Sequence, residues 1–99
     1  MARRVLVAAR DLLFRAKVRA VITAAGGEPT GDDAACDLAV VEIEAPHWEA
    51  RVRGLVARGI PVLAFGSHVH ADSLRVAREA GAQAVPNSQL EQALAALLV

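Results

Sequence analysis

A carboxylate near the end of an apolar run is the first feature of this chain that could do chemistry. Residues 37–48, DLAVVEIEAPHW, read as a buried strand from Leu38 to Ile43 that breaks into a helix start, and Glu42 stands almost at its end. A second apolar run, Val5 to Ala9, is followed at once by Arg10 and Asp11. If the two runs are neighbouring parallel strands, Glu42 and Arg10 meet at one sheet edge within salt-bridge reach. Desolvation offsets much of the Coulomb gain of such a partly buried pair, but removing one partner would strand the other, at a cost of up to about 3–5 kcal/mol if burial is deep. The chain also carries three histidines, His47, His68 and His70, each placed after a predicted strand. Ligands of open α/β sheets bind outside the carboxyl ends of the strands. Asp11, His47, Ser67, His68 and His70, with Glu44 near them, therefore form a candidate ligand edge. Imidazole suits zinc, and three N/O ligands with a water make an open site. The alternative is that these loop histidines are solvated or capping. No nucleophile–base arrangement is present, so no catalytic residue, resident metal or cofactor is expected.

Composition narrows the classes further. With 99 residues, 55% of them hydrophobic, the chain can bury one core and reads as a single domain over 1–99. Eleven basic and eleven acidic residues cancel, which argues against a nucleic-acid binder. Basic residues do gather near the start: Arg3, Arg4, Arg10, Arg15, Lys17 and Arg19. Arg15 and Arg19, at i and i+4, read as a solvated helix face. Cys36 stands alone, so no intrachain disulfide can form, and it reads as an inert thiol. The apolar run in MARRVLVAA is too short for a secretory core, and no stretch approaches a membrane span. A cytoplasmic protein is expected.

The elements that must position these groups follow from periodicity. Val5 to Ala9, Leu38 to Ile43 and Ile60 to Phe65 are short continuous apolar runs, as in strands covered on both faces. Asp11 offers an N-cap to a helix that Gly26-Gly27 ends. Pro46 fits the first turn of the next helix, which Gly59 closes. A third helix, capped by a residue within His70 to Asp72, ends at Gly81. Ala82 to Pro86 is a weak last strand, and SQLE (88–91) matches a capping box for the final helix. Backbone N–H groups at GSHVHADS and NSQLE could hold an anion, a capacity general to such folds. Between Gly27 and Asp37 there is room only for turn chemistry and a short strand. Alternating strands and helices predict a flavodoxin-like, doubly wound parallel sheet of order 2-1-3-4-5, its second helix missing or very short. On the last helix, Ala95, Leu98 and Val99 fall outside the inner stripe and suggest a partner surface.

DLAVVEIEAP resembles the third-strand segment of a response-regulator receiver domain. PVLAFGSHV resembles its fourth-strand segment, and AREAGAQAV the run into the fifth. The resemblance spans nearly the whole chain. It implies a signalling fold whose chemistry needs an aspartate acceptor, an acidic pair for Mg²⁺, a Thr/Ser and a Lys. Those positions fall here on Glu42, on Ala9 and Arg10, on Gly66 with Ser67 next to it, and near Asn87 and Ser88. The resemblance thus implies a pseudo-receiver: fold kept, phosphorylation machinery gone. A protein partner is expected, with a homodimer through Leu98 and Val99 as one form. Glu42 then reads either as a permanent mimic of the phosphorylated state or as a strand-end carboxylate paired with Arg10. The alternative function is a small ligand- or metal-binding protein using the histidine edge.

Overall fold

The computed structural model describes residues 2–99. The chain runs β1 (Arg4–Ala8), α1 (Leu12–Ala24), β2 (Glu28–Thr30), β3 (Leu38–Glu42), α2 (Trp48–Ala57), β4 (Val62–Gly66), α3 (Ala71–Glu79), β5 (Gln83–Pro86) and α4 (Leu90–Leu97). All strand pairs are parallel, in the order β2-β1-β3-β4-β5. The apolar runs form the central strands because both of their faces are covered. Val5, Leu38, Val40, Leu63 and Phe65 pack beneath α1 and α4, against Val18, Ile22, Leu90 and Leu94. Leu6, Ala39, Val41, Ile43 and Ala64 pack beneath α2 and α3, against Val52, Leu55, Leu74 and Ala77. Alternation along each strand sends neighbouring residues to opposite layers. This is the expected flavodoxin-like arrangement.

Local chemistry sets most boundaries. Asp11 Oδ1 accepts from the N–H groups of Leu13 (2.8 Å) and Phe14 (3.2 Å), which starts α1 where expected. Gly81 follows α3 with φ +105°, and a Cβ there would lie 2.8 Å from Val56 Cγ1. Both facts demand glycine. Three helix starts differ from expectation. Pro46 precedes α2 in a turn, and His47 takes the N-cap position with φ 60°. Before α3 the chain first makes a 3₁₀ turn, His68–His70, capped by Ser67 Oγ accepting from Val69 N–H. His70 itself makes no cap bond. The capping box at Ser88 does not form: the chain leaves β5 in a 3₁₀ turn, Asn87–Gln89, which places Gln89 and not Ser88 before α4.

No helix joins β2 to β3. Residues 31–37 cross as a loop, tied by Ala34 N–H to Asp32 Oδ1 (2.9 Å). Two arginines hold it, Arg51 on α2 and Arg58 at its C-cap. Arg58 donates to the carbonyls of Asp33 (2.7 Å) and Ala34 (3.2 Å), and Arg51 Nε lies 3.3 Å from Asp33 Oδ2. Cys36, at the end of this loop, is buried, and its Sγ contacts Asp33 O at 3.6 Å. Burial pushes its thiol above the ordinary range; the nearby Arg58 guanidinium opposes this, and Asp33, Asp37 and Asp32 add to it. The folded state therefore holds the thiol proton to higher pH than the unfolded state does. Its stability contribution is full below the unfolded thiol range and is lost as pH rises through the folded one. Native Cys36 is expected to react with a disulfide reagent at pH 7.5 about tenfold more slowly than the same chain in urea. Equal rates would show the thiol to be open.

Leu98 is half-buried against the α1/α4 layer, so the expected apolar leftover on the last helix shrinks. Val99 is exposed. Among the described residues no helix is long and apolar enough to cross a membrane.

Candidate functional site at the carboxyl edge

Glu42 closes β3 opposite Phe65 of β4. Its carboxylate oxygen Oε1 accepts two hydrogen bonds from consecutive backbone amides, Arg10 N–H at 2.6 Å and Asp11 N–H at 3.0 Å. Asp11 in turn caps α1 through Oδ1. The chain between β1 and α1 is thus latched to the end of β3 by one carboxylate. Orphan N–H groups before a helix need acceptors. Glu42 supplies one from the neighbouring strand, and the bonds are charge-assisted.

Glu42 and Arg10 do meet, but not as the expected ion pair. Among the described residues, no salt bridge links the Arg10 guanidinium to any carboxylate. Its side chain is exposed. A solvated guanidinium gains little from an ion pair at a surface, whereas the loop amides gain an acceptor. The partner of Glu42 is therefore the Arg10 backbone.

The histidines reach the same edge and then part. His70 Nε2 contacts Glu44 Oε1, joining the turn after β3 to the turn after β4. His47 stands at the start of α2 with a left-handed backbone, a conformation uncommon outside glycine. His68 is exposed on its turn. Among the described residues no three His, Cys, Asp or Glu side chains gather as metal ligands would. The geometry does not favour the histidine-edge reading.

Between the ends of β1 and β3 and the start of α2 lies an open cavity of about 410 Å³. Its floor is apolar, including Val7 and Pro46. Its polar groups are Arg10, Arg15, His47 and Arg51, and no carboxylate lines it. Arg15, read from the sequence as part of a solvated face, belongs here. Arg51 escaped notice, although its i+4 spacing from His47 places both on one side of the start of α2. No helix connects β2 to β3. Asp33, on the loop that joins them, holds Arg51.

Several solved structures share this arrangement. A crystal structure of NtrX from Brucella abortus superposes with a TM-score of 0.81 at 17% identity, over 98% of this chain and 26% of that one. The chain thus spans about a quarter of the NtrX chain. The BeF₃-activated DrrB receiver domain matches with a TM-score of 0.80 at 18% identity, over 99% of this chain and 95% of that one. The fold is that of a response-regulator receiver domain. The receiver domain of the Francisella response regulator 1452 agrees, with a TM-score of 0.76 at 14% identity, over 97% of this chain and 93% of that one. No protein-family model matches the chain, and no curated protein does.

Receiver chemistry would require Mg²⁺ at this edge, and the donor set does not suit it. After β1 stand Ala9 and Arg10, which offer no side-chain oxygen; the one acid there is Asp11, whose Oδ1 is engaged in capping α1. Glu42 Oε1 is taken by two amides. Gly66 ends β4 where a receiver would place its hydroxyl, and a Cβ there would lie 3.1 Å from Ile43 Cβ and Cγ1. A side chain at that point displaces Ile43. Asn87 follows β5 where the receiver lysine would stand, and its Oδ1 is buried without a hydrogen-bond partner among the described residues.

Proposed function

We propose that this chain is a pseudo-receiver: a non-catalytic, cytoplasmic module of receiver fold that acts by docking on another protein and is not phosphorylated. The reading rests on one observation above the others. One oxygen of the carboxylate at the acceptor position, Oε1, holds the β1–α1 loop, and an arginine stands where a metal-binding acid is needed. This favours a structural Glu42 over a mimic of a phosphorylated state, because a mimic would need its charge free to act on the edge.

The docking half of the reading is supported by exposure at the same edge. Leu12 and Leu13 open α1 at 75% and 62% exposed, and Val69 caps the turn after β4 at 71%. Leu12 and Leu13 are adjacent, so together they offer an apolar spot that a partner could cover. Pairing of two copies through the last helix has less support, since Leu98 is half-buried.

The chemistry is tested by incubating the protein with acetyl phosphate and Mg²⁺ and weighing it. No mass increase of one phosphoryl group is expected. An increase that disappears in Glu42→Gln would overturn the reading.

A further inference from the structure

We propose that the basin between β1, β3 and α2 binds a small organic phosphate, a phosphate monoester of about nucleotide size. This stands apart from the docking reading: a chain that binds no protein could still bind the ester.

The position comes first. β1 is followed by α1 on one face of the sheet, and its neighbour β3 by α2 on the other. The chain therefore diverges at the carboxyl ends of these two strands and opens a crevice, the topological switch point where ligands of doubly wound sheets bind. The basin lies in that crevice.

Charge then selects the ligand class. Arg10 arrives from the β1–α1 loop, Arg15 from the fourth position of α1, His47 from the N-cap of α2 and Arg51 from its fourth position. Arg51 is held by Asp33. Arg10 and Arg15 have no side-chain hydrogen bond or ion-pair partner among the described residues. Elsewhere the basic side chains are mostly engaged: Arg3 and Arg78 on carbonyls, Lys17, Arg53 and Arg75 on carboxylates. Two arginines without a side-chain partner among the described residues thus line a cavity that no acidic residue lines. A carboxylate, with one charge and two oxygens, is satisfied by one fork. A phosphoryl group carries about −1.5 to −2 charges at pH 7 and three acceptor oxygens, which matches two free guanidiniums with His47 at the rim. Arginine forks bind such oxygens in pairs.

Size and lining select the rest. At about 410 Å³ the basin falls within the range of small-molecule sites, roughly 300–1,000 Å³. Its floor of Val7, Pro46 and alanines offers contact to an organic portion, which a bare phosphate would leave unused.

Isothermal titration with adenosine monophosphate, adenosine and inorganic phosphate tests this, with the fluorescence of Trp48, the sole tryptophan and the neighbour of His47, as a second signal. At low ionic strength adenosine monophosphate is expected to bind and adenosine not to. Inorganic phosphate should bind more weakly than the ester, and added salt should weaken both. Arg10→Gln with Arg15→Gln should reduce affinity for the monophosphate about tenfold or more. Arg19→Gln, on the same helix but outside the basin, should leave it unchanged. All three positions are exposed, so circular dichroism should show intact folds. Adenosine binding as tightly as its monophosphate, no binding at millimolar ester, or an unchanged affinity in the double variant would each overturn the proposal. Inorganic phosphate binding as tightly as the ester would overturn the organic part of it.

Discussion

Phe65→Ala is expected to lower the unfolding free energy by about 3–5 kcal/mol, the range for removing a buried aromatic and leaving a cavity. Phe65 is fully buried in β4, beneath α1 and α4. Its ring meets that of Phe14 with centroids 5.5 Å apart and planes tilted by 57°. Phe14 in turn donates its N–H to the Asp11 cap, and Lys17 lies over its outer face, 5.7 Å from the centroid. Loss of the ring therefore removes apolar burial and also loosens the first turn of α1, which borders the basin. Domains of this kind have roughly 5–15 kcal/mol in all, so the variant should unfold near half the urea concentration of the parent, or fail to fold. Phe65→Leu keeps most of the volume and should cost clearly less. A loss below about 1 kcal/mol for the alanine variant would mean that the α1 layer can close over the gap.

Glu42→Ala is expected to cost about 1–3 kcal/mol, and Arg10→Ala close to nothing. The contrast follows from the latch. Glu42 gives one oxygen to two backbone N–H groups, and alanine leaves both without that acceptor. Water reaches this edge and replaces part of the loss, which keeps the figure at that scale. Arg10 contributes its backbone N–H, and alanine keeps it. Glu42→Gln retains an oxygen acceptor without the charge and should fall between. Urea denaturation of both single variants and the double one measures the coupling, which should stay within about 0.5 kcal/mol of zero. Hydrogen exchange gives the local readout: the Arg10 and Asp11 amides should be protected in the parent and exchange quickly in Glu42→Ala. A strong coupling in the double variant would restore the side-chain ion pair and refute the backbone latch.

The linear order of residues was enough for the frame. Three runs buried on both faces could only be central parallel strands, because an apolar strand without alternation has no face to give to water. Asp11 before Leu12 was legible as a cap, since its partners lie two and three residues away and need no tertiary help. The seven residues at 31–37 could not hold a helix together with its turns, so the missing element was also legible. The start of α4 was not. SQLE carries the pattern of a capping box, but the exit of β5 through Pro86 makes a 3₁₀ turn that leaves Ser88 one residue short of the cap position. The edge itself was decided only by the packed molecule. His70 and Glu44 are 26 positions apart and meet because the turns after β3 and β4 lie side by side. Arg10, Arg15 and Arg51 come from three different segments, and their convergence on one basin follows from the sheet order. Glu42 shows the division most clearly. Its place at the end of a strand was written in the sequence, and so was its nearness to Arg10. Which atoms of Arg10 it would take was not, because that depends on solvent: the guanidinium is already satisfied by water, while the amides of the latched loop are offered a charged acceptor in fixed geometry.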